Sequence, residues 1–177
     1  AKVRKGRYFT IFAPRQSGKT TYFQLLLAEL KQEGFTAIWL SFENLKTIAR
    51  ERFYTALSRD LAYEFSQLGL ESVGAINDPL DLETFAKDLP AQIPPIVLVI
   101  DEFEGIPEAV LGEVMHTFCK MYHKKAQSRL HSLMLVGVST MADLVLASAS
   151  PFNIADELHL PYFTLAEVEE LIGQYVV

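Results

Sequence analysis

The chain has 177 residues, half of them hydrophobic and 21% charged, with a formal net charge of -6. That length suits a single domain, 1–177, with a sizeable buried core, and the composition excludes a disordered or fibrous protein. The negative balance argues against direct nucleic-acid binding by this domain, which needs a positive field to displace counterions. The lone Cys119 rules out an internal disulfide and any multi-cysteine metal site, and in a predicted amphipathic helix it reads as a small packing residue. No apolar run is long enough to span a membrane and no signal peptide is visible, so a cytoplasmic setting without a membrane partner is expected. The chain opens on Ala1 and closes in an apolar helical segment, 167–177, which suggests an excised core lacking a C-terminal lid.

Residues 8–12 are mostly apolar and predict a strand. The segment that follows, Ala13-Pro-Arg-Gln-Ser-Gly-Lys-Thr20, matches the Walker A phosphate-loop pattern, with Ala13 in place of its first glycine. A loop that wraps a triphosphate aims successive backbone N–H groups inward and opens onto a helix N-terminus, whose dipole favours anions. Ala13, Pro14, Arg15, Gln16, Ser17, Gly18, Lys19, Thr20 and Thr21 are therefore candidate nucleotide-binding residues. Gly18 lets the backbone approach the phosphates, Lys19 reaches the β- and γ-phosphate oxygens, and the Thr20 hydroxyl ligates magnesium. Pro14 biases Ala13 toward an extended conformation that alanine adopts without strain. Arg15 and Gln16 stand at the outer lip, either as solvated side chains or as contacts to a partner.

A helix over 18–33 follows, stopped by Gly34 as a left-handed cap. Residues 36–42 predict a second, buried strand. It ends at Glu43 and Asn44, which are either a solvated strand end or groups that hold a neighbouring carboxylate and orient water. Apolar residues recurring every three or four positions predict a helix over 46–68. After a Gly- and Pro-marked loop, a short helix is expected over 80–89.

Residues 96–100 predict a third strand that delivers Asp101 and Glu102, the Walker B pattern. Asp101 reaches the magnesium coordination sphere and Glu102 is placed to polarise an attacking water, which makes Glu102 and Lys19 the candidate catalytic residues. The second carboxylate favours an ATPase of the additional-strand, catalytic-glutamate type, and the guanine-reading Asn/Thr-Lys-x-Asp motif is missing from the sequence.

Pro107 opens a helix expected to run to about residue 127. His116 and His123 on it are seven residues apart, too far for a ligand pair. A fourth strand is expected over 132–138, ending at Ser139 and Thr140, either of which can serve as a polar sensor beside the γ-phosphate. A short helix over 141–147, a fifth strand over 157–160 and a final helix capped by Thr164 and Glu167 complete the pattern.

Strands alternating with helices imply an α/β three-layer sandwich whose parallel strands all end at one edge, where ligands bind. Gly6-Arg-Tyr-Phe-Thr-Ile-Phe-Ala-Pro-Arg-Gln-Ser-Gly-Lys-Thr-Thr21 and Ile38-Trp-Leu-Ser-Phe-Glu43 resemble the AAA-like ATPase domains of prokaryotes related to the STAND and archaeal ATPase groups. Ser150-Pro-Phe-Asn-Ile154 and Leu160-Pro-Tyr-Phe-Thr-Leu-Ala-Glu-Val168 add to the resemblance. It implies a five-stranded sheet of order 5-1-4-3-2, ATP and Mg2+ as cofactors, and a lid or winged-helix region that follows the core. Many relatives carry an arginine just after the fourth strand. Gly137-Val-Ser-Thr-Met141 has none, and Arg129 precedes that strand at the opposite edge, so self-association or a partner protein is expected to supply an arginine finger. The leading expectation is a slow ATPase acting as a regulatory nucleotide switch. A non-hydrolysing nucleotide-binding scaffold and the ATPase module of a DNA-handling protein are the alternatives, with a small-molecule phosphotransferase behind them.

Overall fold

The computed structural model describes residues 2–14, 17–70, 74–138 and 156–173. Five stretches pair side by side, all parallel: β1 (Tyr8–Phe12), β2 (Thr36–Ser41), β3 (Ile96–Asp101), β4 (Leu130–Gly137) and β5 (Asp156–His159). Their spatial order is β2-β3-β4-β1-β5, the 5-1-4-3-2 arrangement the resemblance implied. The helices are α1 (Lys19–Gln32), α2 (Arg50–Gln67), α3 (Pro79–Asp88), α4 (Glu108–His123) and α5 (Leu165–Gly173).

Successive strand side chains point to opposite faces, and because helices cover both, the central strands are mostly apolar on both. On one face Ile38, Leu40, Leu98, Ile100, Leu133 and Leu135 pack with Phe53, Leu57 and Leu61 of α2 and Val110, Val114 and Phe118 of α4. On the other, Val97, Val99, Met134 and Val136 meet Phe23, Leu27 and Leu30 of α1. Each such side chain contributes about 1.5–3 kcal/mol when fully buried. The three layers hold the strand C-termini in one row.

Gly34 has φ +87° and closes α1: its N–H donates to the Lys31 carbonyl at 3.1 Å, and the Phe35 N–H to the Leu30 carbonyl at 3.0 Å. This is the Schellman arrangement, which satisfies carbonyls the helix end would otherwise leave free. At α5, the Thr164 backbone N–H donates to the Glu167 carboxylate at 2.7 Å and the Glu167 N–H returns to the Thr164 hydroxyl at 3.3 Å, forming the expected capping box.

Two helix boundaries differ from the sequence pattern. The second helix starts at Arg50, not at residue 46. Leu45 and Ile48 keep helical spacing, but they pack against the core from two successive turns, closed by Leu45 N–H to the Phe42 carbonyl and Ile48 N–H to the Leu45 carbonyl, each 3.2 Å. The fourth helix ends at His123, and a short 3-10 turn, Lys125–Gln127, leads into β4. Cys119 on α4 is half-buried and free, and burial pushes its thiol pKa up, as suits a packing residue. The expected helix over 141–147 and the segment 150–154 lie outside the described residues.

At the strand-start edge, Lys2 pairs with Asp156 of β5 at 2.6 Å, Arg4 pairs with Glu29 and Glu33 of α1, and the Ser132 hydroxyl donates to the Arg7 carbonyl at 2.6 Å. The N-terminal segment thereby ties α1, β4 and β5 together on the side opposite the strand ends.

Glu83 joins α3 to α4. Its carboxylate, buried at the helix interface, accepts from Lys124 at 2.8 Å and from Lys87, one turn on, at 2.9 Å. The two ammonium hydrogen bonds hold its pKa down at about 2. A depressed carboxylate contributes stability above its ordinary pKa and loses it as pH falls toward the folded value. Glu83→Gln is therefore expected to cost about 1–2 kcal/mol at pH 7, after allowing for solvent screening of the lysines. Urea melts should show the gap between variant and wild type closing as pH falls from about 4.5 to about 2; a gap independent of pH would mean the charge is immaterial.

Candidate functional site

The phosphate loop follows directly from β1. The Ala13 N–H extends the ladder by donating to the Gly137 carbonyl at 3.0 Å, and Ala13 is buried. This fits the extended backbone expected before Pro14, and with its N–H committed to the sheet Ala13 leaves the inward-facing donors to later residues of the loop. The Ser17 hydroxyl donates to the Pro14 carbonyl at 2.8 Å and so braces the loop, leaving its backbone N–H as the group that can face an anion. Arg15 and Gln16 lie outside the described residues.

Gly18 sits at φ +74°, a left-handed conformation that turns the loop into α1, and Lys19 begins the helix. The Lys19 ammonium donates to the Ala13 and Pro14 carbonyls, both at 3.1 Å, which holds the cation across the mouth of the loop. Thr20, one residue into the helix, is exposed on the same side. Thr21 is exposed on the first turn of α1, next to Thr20.

β3 brings the two carboxylates in. Lys19, Thr20, Asp101 and Glu102 line one open cleft of about 870 Å³, together with Glu43, Asn44, Lys46, Thr47, Glu104 and Val138. This lies within the range of small-ligand sites. Asp101 is buried at the end of the strand and one of its oxygens accepts the Glu102 N–H at 2.9 Å. Burial raises its pKa and Glu104 adds to this, while the Glu102 N–H and the Lys19 charge pull it down. A buried carboxylate whose charge is under-compensated, beside an exposed threonine hydroxyl, is a donor set that fits a hard divalent cation held also by phosphate oxygens. Among the described residues there is no group of three or more His, Cys, Asp and Glu arranged to hold a metal without such a ligand.

Glu102 is exposed to the cleft and has φ +53°, a conformation rarely taken by a side-chain-bearing residue. Burial raises its pKa, followed by the charges of Glu43, Asp101 and Glu104, with Lys19 opposing. Glu43 thus acts on Glu102 by repulsion. Asn44 also lies in the left-handed region, at φ +64°, and turns the chain across the cleft floor.

Arg129 is structural: its guanidinium donates to the carbonyls of Ala91, at 2.8 Å, and Ile93, at the far edge of the sheet. His116 and His123 remain on α4, away from the cleft-lining residues. Ser139 and Thr140 lie outside the described residues. Three cleft residues and one beside the phosphate loop escaped the sequence reading. Glu104, Lys46 and Thr47 sit in turns without a motif, although an acid two residues after Asp101-Glu102 was a signal in plain view. Phe163, 52% exposed, stands beside the phosphate loop, where a Cβ on Gly18 would lie 3.7 Å from its ring.

Among solved structures the chain is similar in fold to the Aeropyrum pernix ORC1 protein in complex with DNA, at 12% identity and a TM-score of 0.65 over 95% of this chain and 43% of that one. It is similar to Drosophila ORC bound to poly(dA/dT) DNA and Cdc6, at 11% identity and a TM-score of 0.62 over 95% of this chain and 27% of that one. A DNA replication initiation factor shares 16% identity with a TM-score of 0.57 over 99% of this chain and 47% of that one. The chain thus spans less than half the length of each. No curated protein matches it by sequence. The family described as the AAA-like domain matches residues 1–177, and the chain, with its five-stranded parallel sheet and phosphate loop, belongs to that family.

Proposed function

We propose that this domain binds ATP with magnesium and hydrolyses it slowly, as the nucleotide switch of a larger multidomain protein of the STAND type. One observation carries the reading: Lys19 and Thr20 from the phosphate loop meet Asp101 and Glu102 from β3 in a single cleft at the strand C-terminal edge. The N–H groups from Ser17 onward and the Lys19 ammonium bind the phosphates, while Thr20 and Asp101 hold the magnesium ion. When bound, that ion neutralises phosphate charge. The Glu102 carboxylate takes a proton from water as the water oxygen attacks the γ-phosphorus and the bond to the β–γ bridging oxygen breaks, leaving ADP and phosphate.

Phe163 follows β5, on the other side of β1 from the acidic pair, so a nucleotide laid across the loop with its γ-phosphate toward Asp101 brings its base toward that ring. Aromatic stacking on a base is worth about 1–3 kcal/mol. In a thermal-shift titration, Mg-ATP and Mg-ADP should raise the Tm of the wild-type chain, and Phe163→Ala should need roughly tenfold more nucleotide for the same shift. The absence of any shift at millimolar nucleotide would overturn the reading; an unchanged Phe163→Ala would remove only the base contact.

The cleft holds no arginine among the described residues, which favours slow turnover until self-association or a partner protein supplies one. A second reading, the ATPase module of a DNA-handling protein, draws on the structural neighbours that are complexes with DNA. The net charge of -6 argues against direct DNA contact by this domain. Binding of a duplex by the isolated chain in a gel-shift assay at physiological salt would reverse that assignment.

A further inference from the structure

Beyond the acidic pair, the turn that follows it is fastened to the end of β4. Phe103–Gly105 form one 3-10 turn, in which the Gly105 N–H donates to the Glu102 carbonyl at 2.8 Å and the Ile106 N–H to the Phe103 carbonyl at 3.1 Å. Phe103 is wholly buried beneath it, so the backbone of Glu102 and that of Glu104 move as one unit. The Glu104 carboxylate lines the cleft, and its Oε1 accepts the backbone N–H of Val138 at 3.2 Å. Val138 is the first residue past β4, so this charge-assisted bond sets the direction in which the chain leaves the strand.

The approach depends on the residue beneath. A Cβ at Gly137 would overlap Glu104 Oε2 and come within 2.7 Å of the Phe103 ring. Glycine at 137 is thus what lets the carboxylate lie flat over the strand end. Glu104 Oε2 is itself buried and has no hydrogen-bond partner among the described residues, so the side chain is held by Val138 and by this close fit.

We propose that Glu104 is a positioning residue that latches the acidic turn to the exit of β4, so that Glu102 and the Gly137–Val138 strand end take up one fixed spacing. The proposal rests on the ATPase reading above, but the latch itself is measurable without turnover. Two separately placed features support it, the Val138 amide and the side-chain-free Gly137.

The test compares wild type with Glu104→Ala, Glu104→Gln and Gly137→Ala. Steady-state ATP hydrolysis and Mg-ADP affinity are measured alongside amide hydrogen exchange at Val138. Glu104→Ala should lower kcat at least tenfold with KM and Mg-ADP affinity within about threefold, and should speed exchange at Val138 at least tenfold. Glu104→Gln keeps an acceptor for the Val138 N–H and should recover most of both. Gly137→Ala leaves the carboxylate intact but displaces it, and should reproduce the Glu104→Ala phenotype. Unchanged exchange at Val138 in Glu104→Ala would overturn the latch, whatever the wild-type activity. Faster exchange with kcat unchanged would overturn its role in catalysis, as would a kcat loss matched by an equal loss of affinity. A wild-type chain that binds Mg-ATP without hydrolysing it would refute the ATPase reading, and with it any catalytic role for Glu104. Val138 exchange would then still decide the latch separately.

Discussion

Glu102→Gln is expected to leave Mg-ATP affinity within about threefold of wild type and to cut kcat by at least a hundredfold. General-base catalysis by a positioned side chain contributes about 10²–10⁴ in rate, and it is lost when the carboxylate becomes an amide. The substitution is nearly isosteric, and the backbone at 102 stays in the left-handed region with either residue. Binding should survive because Glu102 contributes repulsion rather than attraction to a triphosphate. It stands in a cleft already lined by Glu43, Asp101 and Glu104, whose charges raise its own proton affinity. Removing one of four negative charges favours an anionic ligand or leaves it unaffected. Fluorescent-nucleotide titration and single-turnover hydrolysis separate the two effects. Wild-type turnover in the variant would assign the base elsewhere, with Glu43, across the cleft, as the next residue to test.

Lys19→Ala should weaken Mg-ATP binding roughly ten- to hundred-fold, with turnover at subsaturating nucleotide falling at least as far. A hydrogen bond to a charged group is worth about 1.5–3 kcal/mol, and each 1.4 kcal/mol is a factor of ten. Two further consequences follow from the geometry. The Ala13 and Pro14 carbonyls, both bridged by the Lys19 ammonium, lose that donor, so the loop is less well fixed in the variant. Lys46 is then the only cation among the described cleft-lining residues, facing four carboxylates. Isothermal titration with Mg-ADP gives the affinity directly. A wild-type affinity would show that the backbone amides and the magnesium ion carry phosphate binding on their own.

The parts of the fold legible in the sequence were those with strong local signals. β1 and β3 are largely apolar runs because helices cover both their faces, and the phosphate loop and Asp101-Glu102 hang from their C-terminal ends. Gly34 and the Thr164–Glu167 pair marked helix termini through chemistry confined to a few residues. What escaped depends on neighbours remote in the chain. Glu104 acquires its partner 34 positions away, at Val138, and Phe163 reaches Gly18 across β5 and β1. Leu45 and Ile48 misled for the opposite reason: their spacing suits a helix, yet tertiary packing draws them inward from turns, and that irregular stretch places Glu43, Lys46 and Thr47 in the cleft. The extended backbone at Ala13 was legible from Pro14, whereas the pairing of its N–H with Gly137 depends on the register of β1 on β4.

Two side-chain-bearing residues occupy the left-handed region at the cleft, Asn44 and Glu102, and they are not equivalent. Asparagine tolerates that backbone well. Glutamate gains nothing from it, and a β-carbon there costs about 1–2 kcal/mol. A sequence selected for folding alone would drift to glycine or asparagine at 102, since either relieves the strain at no loss to the core. Replacing Glu102 by glycine or asparagine would relieve that strain only by taking the carboxylate out of the cleft. At position 102 a more relaxed backbone and a carboxylate facing the cleft are therefore opposed, and Glu102→Gly is expected to lose the second as it gains the first.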